Sequence, residues 1–435
     1  MRIGRRVPFQ NLTSKEKLNL ALVATVVCYL GFVVVMIYST NFCGYFGLDY
    51  CAYWSGGRIM NDEGLAKVYD IDLLYQYQEQ IYPQANDSNL AFRAMPLPYL
   101  PLFVLPFQVL SLVNVKCSYL IWTLINVVVF IGYLNFFIKD LLNTSLSRKI
   151  ILMVMLSLPV FLNIRNGQLN IWLSICIGEF MRSLSHSKPL KAGLWLGGCM
   201  LKPQILIIII PILLLRKSFK TFLGFLLSSA LTFLISYGLI GGDGFMALFQ
   251  ILINSSQGGA ASNPQVMMNW RMLGVNISGF ISHNIGWVVI IIGSVITTLV
   301  AMIAFTKKPI NNTSDYIAIA LLGIFAATGA VTWHAHLSMS IVLVPIVSYL
   351  MESKRFNPQL FVWWILLPII SYFMKYFLPM IAQMGIFSGK IYLPLDLFEG
   401  LPGFVFNMLL LGWAVHQYRL QELPVMDISI FQDNI

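Results

Sequence analysis

Charged side chains are scarce in this sequence. Asp, Glu, Lys and Arg make up 11% of the 435 residues, whereas a soluble domain carries about 25%. Because 58% of the residues are hydrophobic, the chain cannot cover its own surface with polar groups, which excludes a soluble globular protein. Segments that cross lipid must satisfy every backbone group internally, so they are helices or closed barrels. The apolar runs are long and continuous, which favours helices over short alternating strands.

Several other signatures are missing. No glycine-rich loop predicts a nucleotide site, and no soluble domain, linker or low-complexity tract interrupts residues 1–435, which we interpret as one transmembrane domain. The net charge of +10 does not indicate nucleic-acid binding, because the basic residues form short clusters between apolar runs, as the positive-inside rule predicts. His334 and His336 are spaced by two, which is poor for zinc ligation on a helix. We predict no cofactor and no metal.

The six cysteines are scattered, mostly inside apolar segments. Cys43 and Cys51 flank one predicted loop, and the sequence leaves open whether they form a disulfide or remain free thiols. The basic N-terminus is followed by an apolar run over about 18–39. This run is too long for a typical signal-peptide core, so we expect an anchor that stays in the membrane.

Hydrophobic runs predict an all-α polytopic membrane protein with about 11–13 transmembrane or re-entrant helices. The predicted spans are about 18–39, 97–113, 117–138, 150–164, 168–184, 191–201 with 204–215, 220–240, 286–305, 316–332, 337–351, 360–379 and 401–418.

The distribution of Lys and Arg gives the orientation. We assign the basic clusters to the cytoplasmic side. They lie near residues 2–17, 139–149, 182–191, 216–220, 307–308 and 354–355, and Arg419 is placed with them. The predicted outer loops are therefore 40–95, 163–168, 241–285, 332–337 and 380–400. The region 97–138 does not fit this alternation, and prolines crowd its first half, so 97–113 is either re-entrant or misassigned as a span.

The stretch 191–216 begins and ends at cytoplasmic charges, so we expect it to enter and return as two short arms. Pro203 cannot donate a helical hydrogen bond, which favours a break at Lys202-Pro203-Gln204. Broken helices at membrane depth are tolerated where they line a polar cavity. A lysine among so many apolar residues needs an anionic partner, either a bound anion such as a lipid-linked phosphate or a carboxylate in a salt bridge.

Asp49 follows the first predicted span by about ten residues and so lies near the outer membrane face. A carboxylate there is a candidate general base toward an acceptor hydroxyl. The alternative is that Asp49 caps the following helix, a common role for Asp. Many aromatic residues follow in 49–83, and for most of them we expect placement at the membrane interface. Aromatic rings also stack on sugar rings, and Tyr50 is the candidate substrate contact among them.

Other polar residues fall in the predicted outer turns. Arg165 is a candidate phosphate contact, and Asn166 and Gln168 are candidates for hydrogen bonds to hydroxyl groups. Arg271 in the loop 241–285 and the histidines His334 and His336 are further candidate phosphate contacts. Taken singly, each has an ordinary alternative: a hairpin connection, a solvated charge or an interfacial histidine.

Their common location favours the functional interpretation, because the charge pattern places Asp49 and all these candidates on the outer side. An acid–base carboxylate, several cations and hydrogen-bonding amides suit displacement at a sugar carbon with a phosphate leaving group. Negative charge grows on the phosphate as the bond breaks, and fixed cations stabilise it.

The order of several motifs resembles glycosyltransferase family 87 of the GT-C superfamily. The resemblance covers most of the chain and rests on Asp-Tyr after the first span, GLAKVYD, PLPYLPLFVLPF, NGQLN, LKPQ, NIS and the turn with two histidines. It implies a GT-C fold with a large first outer loop. It also implies an inverting glycosyltransferase that uses a polyprenyl-phosphate sugar, with mannose as the family default and another hexose or a pentose as alternatives.

The resemblance also implies roles for residues. Asp49 matches the family's catalytic aspartate, and His336 or His334 matches a histidine near the donor phosphate. The segment TGAVTWHAH lacks the proline often found before this histidine, so the choice between the two stays open. The expected partners are the polyprenyl-phosphate sugar, a lipid or glycan acceptor and membrane lipids. The alternatives are a transporter or flippase of a lipid-linked sugar, and a polymer ligase that uses diphosphate-linked donors.

Overall fold

The computed structural model describes residues 13–39, 42–82, 95–256, 264–307, 313–366, 370 and 397–420. In this part of the chain all regular structure is helical. The α-helices are α1 (Ser14–Tyr38), α2 (Phe42–Tyr45), α3 (Leu48–Asp62), α4 (Ile71–Glu79), α5 (Pro101–Val104), α6 (Pro106–Leu110), α7 (Val115–Leu142), α8 (Arg148–Leu156), α9 (Leu158–Asn166), α10 (Asn170–Ser185), α11 (Pro189–Gly197), α12 (Ile209–Leu215), α13 (Phe219–Ser256), α14 (Trp270–Phe280), α15 (His283–Thr306), α16 (Ser314–Val331), α17 (Val344–Glu352), α18 (358–366) and α19 (Leu397–Leu420).

Five described helices are long and apolar enough to cross a membrane, namely α1, α7, α13, α15 and α16. The pair α8 and α9, bent by 58°, makes a sixth if it is counted as one span. Shorter apolar stretches lie at Pro101–Leu110, Pro203–Leu215 and Leu337–Glu352. The all-helical polytopic class is confirmed. Residues 367–369 and 371–396 hold most of the predicted span 360–379 and loop 380–400 and lie outside the described residues.

Polar caps explain where the long helices begin. Thr13 forms a capping box with Glu16 at the start of α1, and the side chains of Asn114, Ser282 and Thr313 accept backbone N–H groups at the starts of α7, α15 and α16. Each side chain satisfies a donor that the first helical turn leaves without a partner.

The predicted span 97–113 is wrong. It forms only the short helices α5 and α6, each with a proline in its first turn. It packs against α3 so closely that a Cβ on Gly57 would lie 2.1 Å from the Phe107 carbonyl oxygen. The helix that crosses after α1 is instead α7. Its start lies beside the end of α1, where the Lys116 ammonium donates to the carbonyls of Ile37 and Ser39 at 3.0 and 2.8 Å. Removing 97–113 restores the alternation of the spans.

The broken segment is as predicted. After α11, two short 3-10 turns, Gly198–Leu201 and Pro203–Leu206, flank Lys202, whose φ of −141° and ψ of 80° are not helical. Helix α12 then returns, and the Arg216 guanidinium that follows it donates to the carbonyls of Phe305 and Lys307. Lys202 therefore sits at the tip of a hairpin whose two arms start and finish at the same end of the bundle.

Residues 42–82, within the predicted loop 40–95, fold over one end of the bundle, and we call them the helical cap. A disulfide joins Cys43 to Cys51. The side chains of Tyr50, Tyr53, Tyr69 and Tyr82 are buried within the protein, so the interfacial placement is wrong for these four tyrosines. Tyr69 donates to the Tyr99 carbonyl and Tyr82 to the Leu48 carbonyl, both at 2.6–2.7 Å.

The predicted loop 241–285 is also largely helical. Helix α13 continues through it to Ser256, with a kink at Gly241, whose φ is +67°. Helix α14 follows after residues 257–263, which lie outside the described part of the chain.

Basic residues concentrate at the opposite end of the bundle from the cap, which we call the basic end. There Arg182 forms ion pairs with Glu179 and Asp140, and Arg355 pairs with Asp315. The bundle thus has the two unlike ends that the charge pattern predicted.

Candidate active site

Asp49 lies in the first turn of α3. The residue that caps this helix is Gly47, with a φ of +59° and no side-chain cap bond, so the interpretation of Asp49 as the cap is wrong. The Asp49 carboxylate instead accepts a hydrogen bond from the Gln168 side-chain amide at 2.5 Å. Its place at a helix N-terminus favours the ionised form.

The turn after α9 fixes Gln168 in the orientation that serves Asp49. The Asn170 side-chain amide donates to Oε1 of Gln168 at 2.7 Å, which leaves the Nε2 group of Gln168 to face the carboxylate. Gly167 ends α9 with a φ of +68°, and a Cβ there would lie 2.5 Å from the Cβ of Tyr50. Glycine is therefore required at this contact for both its backbone conformation and its size.

Aromatic side chains of α7 form hydrogen bonds with the end of α9 and the turn that follows it. Trp122 donates to the Gly167 carbonyl at 3.0 Å, and the Tyr119 hydroxyl donates to the Ile164 carbonyl at 2.5 Å. In addition, the Gly47 N–H donates to the Arg165 carbonyl at 2.6 Å, which ties the start of α3 to the end of α9. Sequence reasoning missed Trp122, Tyr119 and Asn170, because nothing in a hydrophobic pattern distinguishes them from ordinary helix residues.

The environment of Asp49 raises the pKa of its carboxyl group. Burial is the main cause, since it penalises the charged form, while the hydrogen bond from Gln168 and the positive charge of Lys202 act in the opposite direction. A carboxylate with a raised pKa is a stronger base than an exposed aspartate, which suits proton abstraction from a hydroxyl group.

Lys202 brings a positive charge to the site from the tip of the broken hairpin. Its charge acts on both Asp49 and His336. No ion pair among the described residues includes Lys202. In the described part of the chain Lys202 acts on the Asp49 carboxylate electrostatically but forms no ion pair with it, which leaves the ammonium able to hold an external anion.

The turn after α16 places His336 beside Lys202. Burial, followed by the positive charges of Lys202 and His334, lowers the pKa of His336 to about 4. His336 is therefore a neutral hydrogen-bonding group at pH 7 rather than a cation. The Met268 N–H donates to the Ala335 carbonyl at 2.8 Å, which anchors the turn between the two histidines.

Arg271 lies in the first turn of α14 and packs against the turn after α16. Its guanidinium stacks 4.0 Å from the ring centre of Trp333, it is 9% exposed, and burial lowers its pKa. Asn269 donates to the Thr332 carbonyl at 2.6 Å and so helps hold this turn. The contacts of the described residues join Arg271 to Trp333 and not to Asp49.

Three other predicted residues lie near the site without a described side-chain hydrogen bond to Asp49. Arg165 contributes its backbone carbonyl to Gly47, and Asn166 is the half-buried last residue of α9. Tyr50 is fully buried, and its hydroxyl shares a hydrogen bond with Ser118 of α7. In this arrangement the Tyr50 ring packs against Phe107, Tyr119 and Trp122, and its contact with a substrate stays a prediction.

The arrangement thus joins one carboxylate, its orienting amide, an ammonium and two histidines from four separate stretches of the chain. These are α3, the turn after α9, the broken hairpin and the turn after α16. The described residues contain no group of three or more His, Cys, Asp or Glu side chains placed to ligate a metal ion. This arrangement is suited to proton abstraction by Asp49 next to an anion bound at Lys202.

A family model matches this chain. The model described as "Glycosyltransferase family 87" matches residues 98–328, which is more than half of the chain. No curated protein and no solved structure matches this sequence. The matched region contains Gln168, Lys202 and Arg271, whereas Asp49 and the two histidines lie outside it.

Proposed function

The chain belongs to glycosyltransferase family 87 and is a membrane glycosyltransferase, and we propose that it transfers a sugar from a polyprenyl-phosphate donor to a lipid or glycan acceptor at the extracytoplasmic face. The observation that carries the proposal is the Asp49 carboxylate, oriented by Gln168, beside the ammonium of Lys202. A base next to an anion site is what displacement of a phosphate by a hydroxyl group requires.

The proposed reaction is a single inverting displacement. Asp49 takes the proton of an acceptor hydroxyl, and the oxygen attacks the anomeric carbon of the donor sugar. The bond between that carbon and the phosphate oxygen breaks, and polyprenyl phosphate leaves with the bonding electrons. One glycosidic bond forms, one sugar–phosphate bond breaks, and the proton resides on Asp49 until it returns to solvent.

The leaving phosphate gains negative charge as the bond breaks. Lys202 stabilises that charge as a fixed cation, and His336 is suited to donate a neutral N–H to a phosphate oxygen. Arg271 adds to the positive potential from the edge of the site, and His334 is a further candidate contact for the phosphate. The partly buried setting strengthens each of these interactions relative to water.

Two observations support the extracytoplasmic face. The basic residues lie at the end of the bundle opposite Asp49, as the positive-inside rule requires if that end faces the cytoplasm. The Cys43–Cys51 disulfide lies at the same end as Asp49, and disulfides persist in oxidising compartments outside the cytoplasm.

The test is transfer by the purified chain in lipid nanodiscs, using polyprenyl-phosphate mannose labelled in the sugar together with native lipid extract. We expect the label to appear in a new glycolipid or glycan while free polyprenyl phosphate accumulates. A flippase would move the labelled donor intact between leaflets, and a diphosphate-dependent ligase would leave it unused. Either outcome, across mannose, other hexose and pentose donors, contradicts the proposal.

A further inference from the structure

A polar groove lies on the cap, on the side of α3 turned away from Asp49. It has a volume of about 600 Å³. Asp49 and Arg58 are nine residues apart on α3, which puts them on opposite faces and about 14 Å apart along the axis. We call it the α3–α4 groove; its polar and aromatic lining includes Trp54, Arg58, Asp62, Glu63, Gln76, Tyr77, Gln80 and Asn114.

The floor of the α3–α4 groove is fixed by hydrogen bonds across it. The Asn61 side-chain amide donates to the Gln108 carbonyl at 2.9 Å and to the Ser111 hydroxyl at 3.0 Å. The Trp54 indole N–H donates to the Val113 carbonyl at 3.0 Å. These contacts hold α3 against the chain between α6 and α7, so the groove has a defined shape.

The walls carry groups that match hydroxyl groups. Glu63, Gln76 and Gln80 are exposed and offer carboxylate and amide atoms that accept or donate hydrogen bonds. Trp54 and Tyr77 are half-buried and supply aromatic surface with a polar edge. Hydroxyl-binding amides and carboxylates beside aromatic surface fit a polyhydroxylated ring.

The charge of the lining argues against a phosphate. Arg58 pairs with Asp62 at 3.2 Å, and the Tyr77 hydroxyl donates to the same carboxylate at 3.2 Å. The charges of Arg58 and Asp62 cancel, so Glu63 gives the described lining a net charge of −1. A phosphate or an anionic lipid headgroup would meet this excess negative charge, whereas a neutral glycan would not.

The geometry points to the α3–α4 groove as a binding site for the neutral glycan portion of the acceptor, a subsite separate from the reacting centre. Leu112, which is 67% exposed, and Val113 form an apolar edge of the groove, which suits an acceptor whose glycan is joined to a lipid. This inference rests on the proposed function, because it assigns the acceptor class of the same enzyme. The groove holds the acceptor and leaves the chemistry to Asp49.

Direct binding tests the inference without turnover. Mannotetraose, maltotetraose and cellotetraose are titrated by calorimetry into the full chain in detergent. We expect at least one to bind the natural protein and to bind about tenfold more weakly to a triple variant, Glu63→Ala with Gln76→Ala and Gln80→Ala, because three hydrogen-bonding side chains are lost. These residues are exposed, so the variant should fold normally.

The matched control is Asp72→Ala with Glu79→Ala, which changes two exposed residues of α4 that do not line the groove. It should bind the tetrasaccharide as the natural protein does, and so should Asp49→Asn. Absence of binding by all three sugars, or equal binding by the triple variant, overturns the inference. Tetrasaccharide binding with no sugar transfer from any donor would instead contradict the proposed function and leave the groove intact.

Discussion

Replacing Gln168 by Leu removes the hydrogen bond that orients Asp49 while leaving the carboxylate in place. The bond from Nε2 of Gln168 to the carboxylate is 2.5 Å long, and Asn170 holds the amide in that orientation. Leucine is similar in size but cannot donate. The variant therefore separates the presence of the base from its positioning.

The expected loss follows from the strength of a hydrogen bond to a charged group. Such a bond contributes about 1.5–3 kcal/mol, and each 1.36 kcal/mol corresponds to a tenfold change in rate. We expect kcat/KM to fall by about 10- to 150-fold at pH 8. Because the bond from Gln168 lowers the pKa of Asp49, its loss should also move the acid limb of the pH profile to higher pH.

The assay is transfer of labelled sugar from polyprenyl phosphate at a series of pH values, with Gln359→Leu, an exposed residue at the basic end, as the control. A role in packing alone would lower the folded fraction without shifting the acid limb. An unchanged kcat/KM, or an acid limb that moves to lower pH, would refute the assignment of Gln168 as the residue that positions the base.

Three other predictions follow from the same site. Lys202→Met should raise the KM for the donor far more than the KM for the acceptor, and Lys202→Arg should recover part of the loss; equal effects on both substrates would argue against a phosphate contact. Cys51→Ser should lower the free energy of unfolding by about 2.5 kcal/mol, since the disulfide to Cys43 closes a loop with a sequence separation of 8; an unchanged midpoint in denaturant would contradict this. Because His336 has a folded pKa of about 4, below its unfolded value near 6.5, the unfolded chain binds more protons between these values, and stability attributable to His336 is lost as pH falls through this window. Between pH 7 and pH 5 the thermal stability of His336→Gln should therefore fall less than that of the natural protein. An equal fall in both proteins would contradict this prediction.

The sequence predicted the features that depend on hydrophobicity and charge. Long apolar runs predicted the long helices, the Lys and Arg clusters predicted which end of the bundle is basic, and Pro203 predicted the break that places Lys202 at a hairpin tip. The error at 97–113 arose because an apolar run was interpreted as a span. Its prolines limit the run to two short helices, of four and five residues.

Contacts between distant parts of the chain could not be predicted from one sequence. Gln168 and Asp49 are 119 residues apart, and the charge pattern placed them on one side without joining them. The burial of Tyr50 likewise depends on α7, which no local pattern connects to the cap. Family membership names the reaction type, but the tertiary structure identifies the amide that orients Asp49.

The central claim is that Asp49 is the base in sugar transfer from a lipid phosphate. Its most direct test compares the natural protein with Asp49→Asn in nanodiscs, reading product masses after incubation with polyprenyl-phosphate sugars and native lipids. We predict that the natural protein forms a glycosylated product from at least one donor and that Asp49→Asn, with unchanged thermal stability and donor binding, forms none. Near-normal product formation by Asp49→Asn would contradict the account.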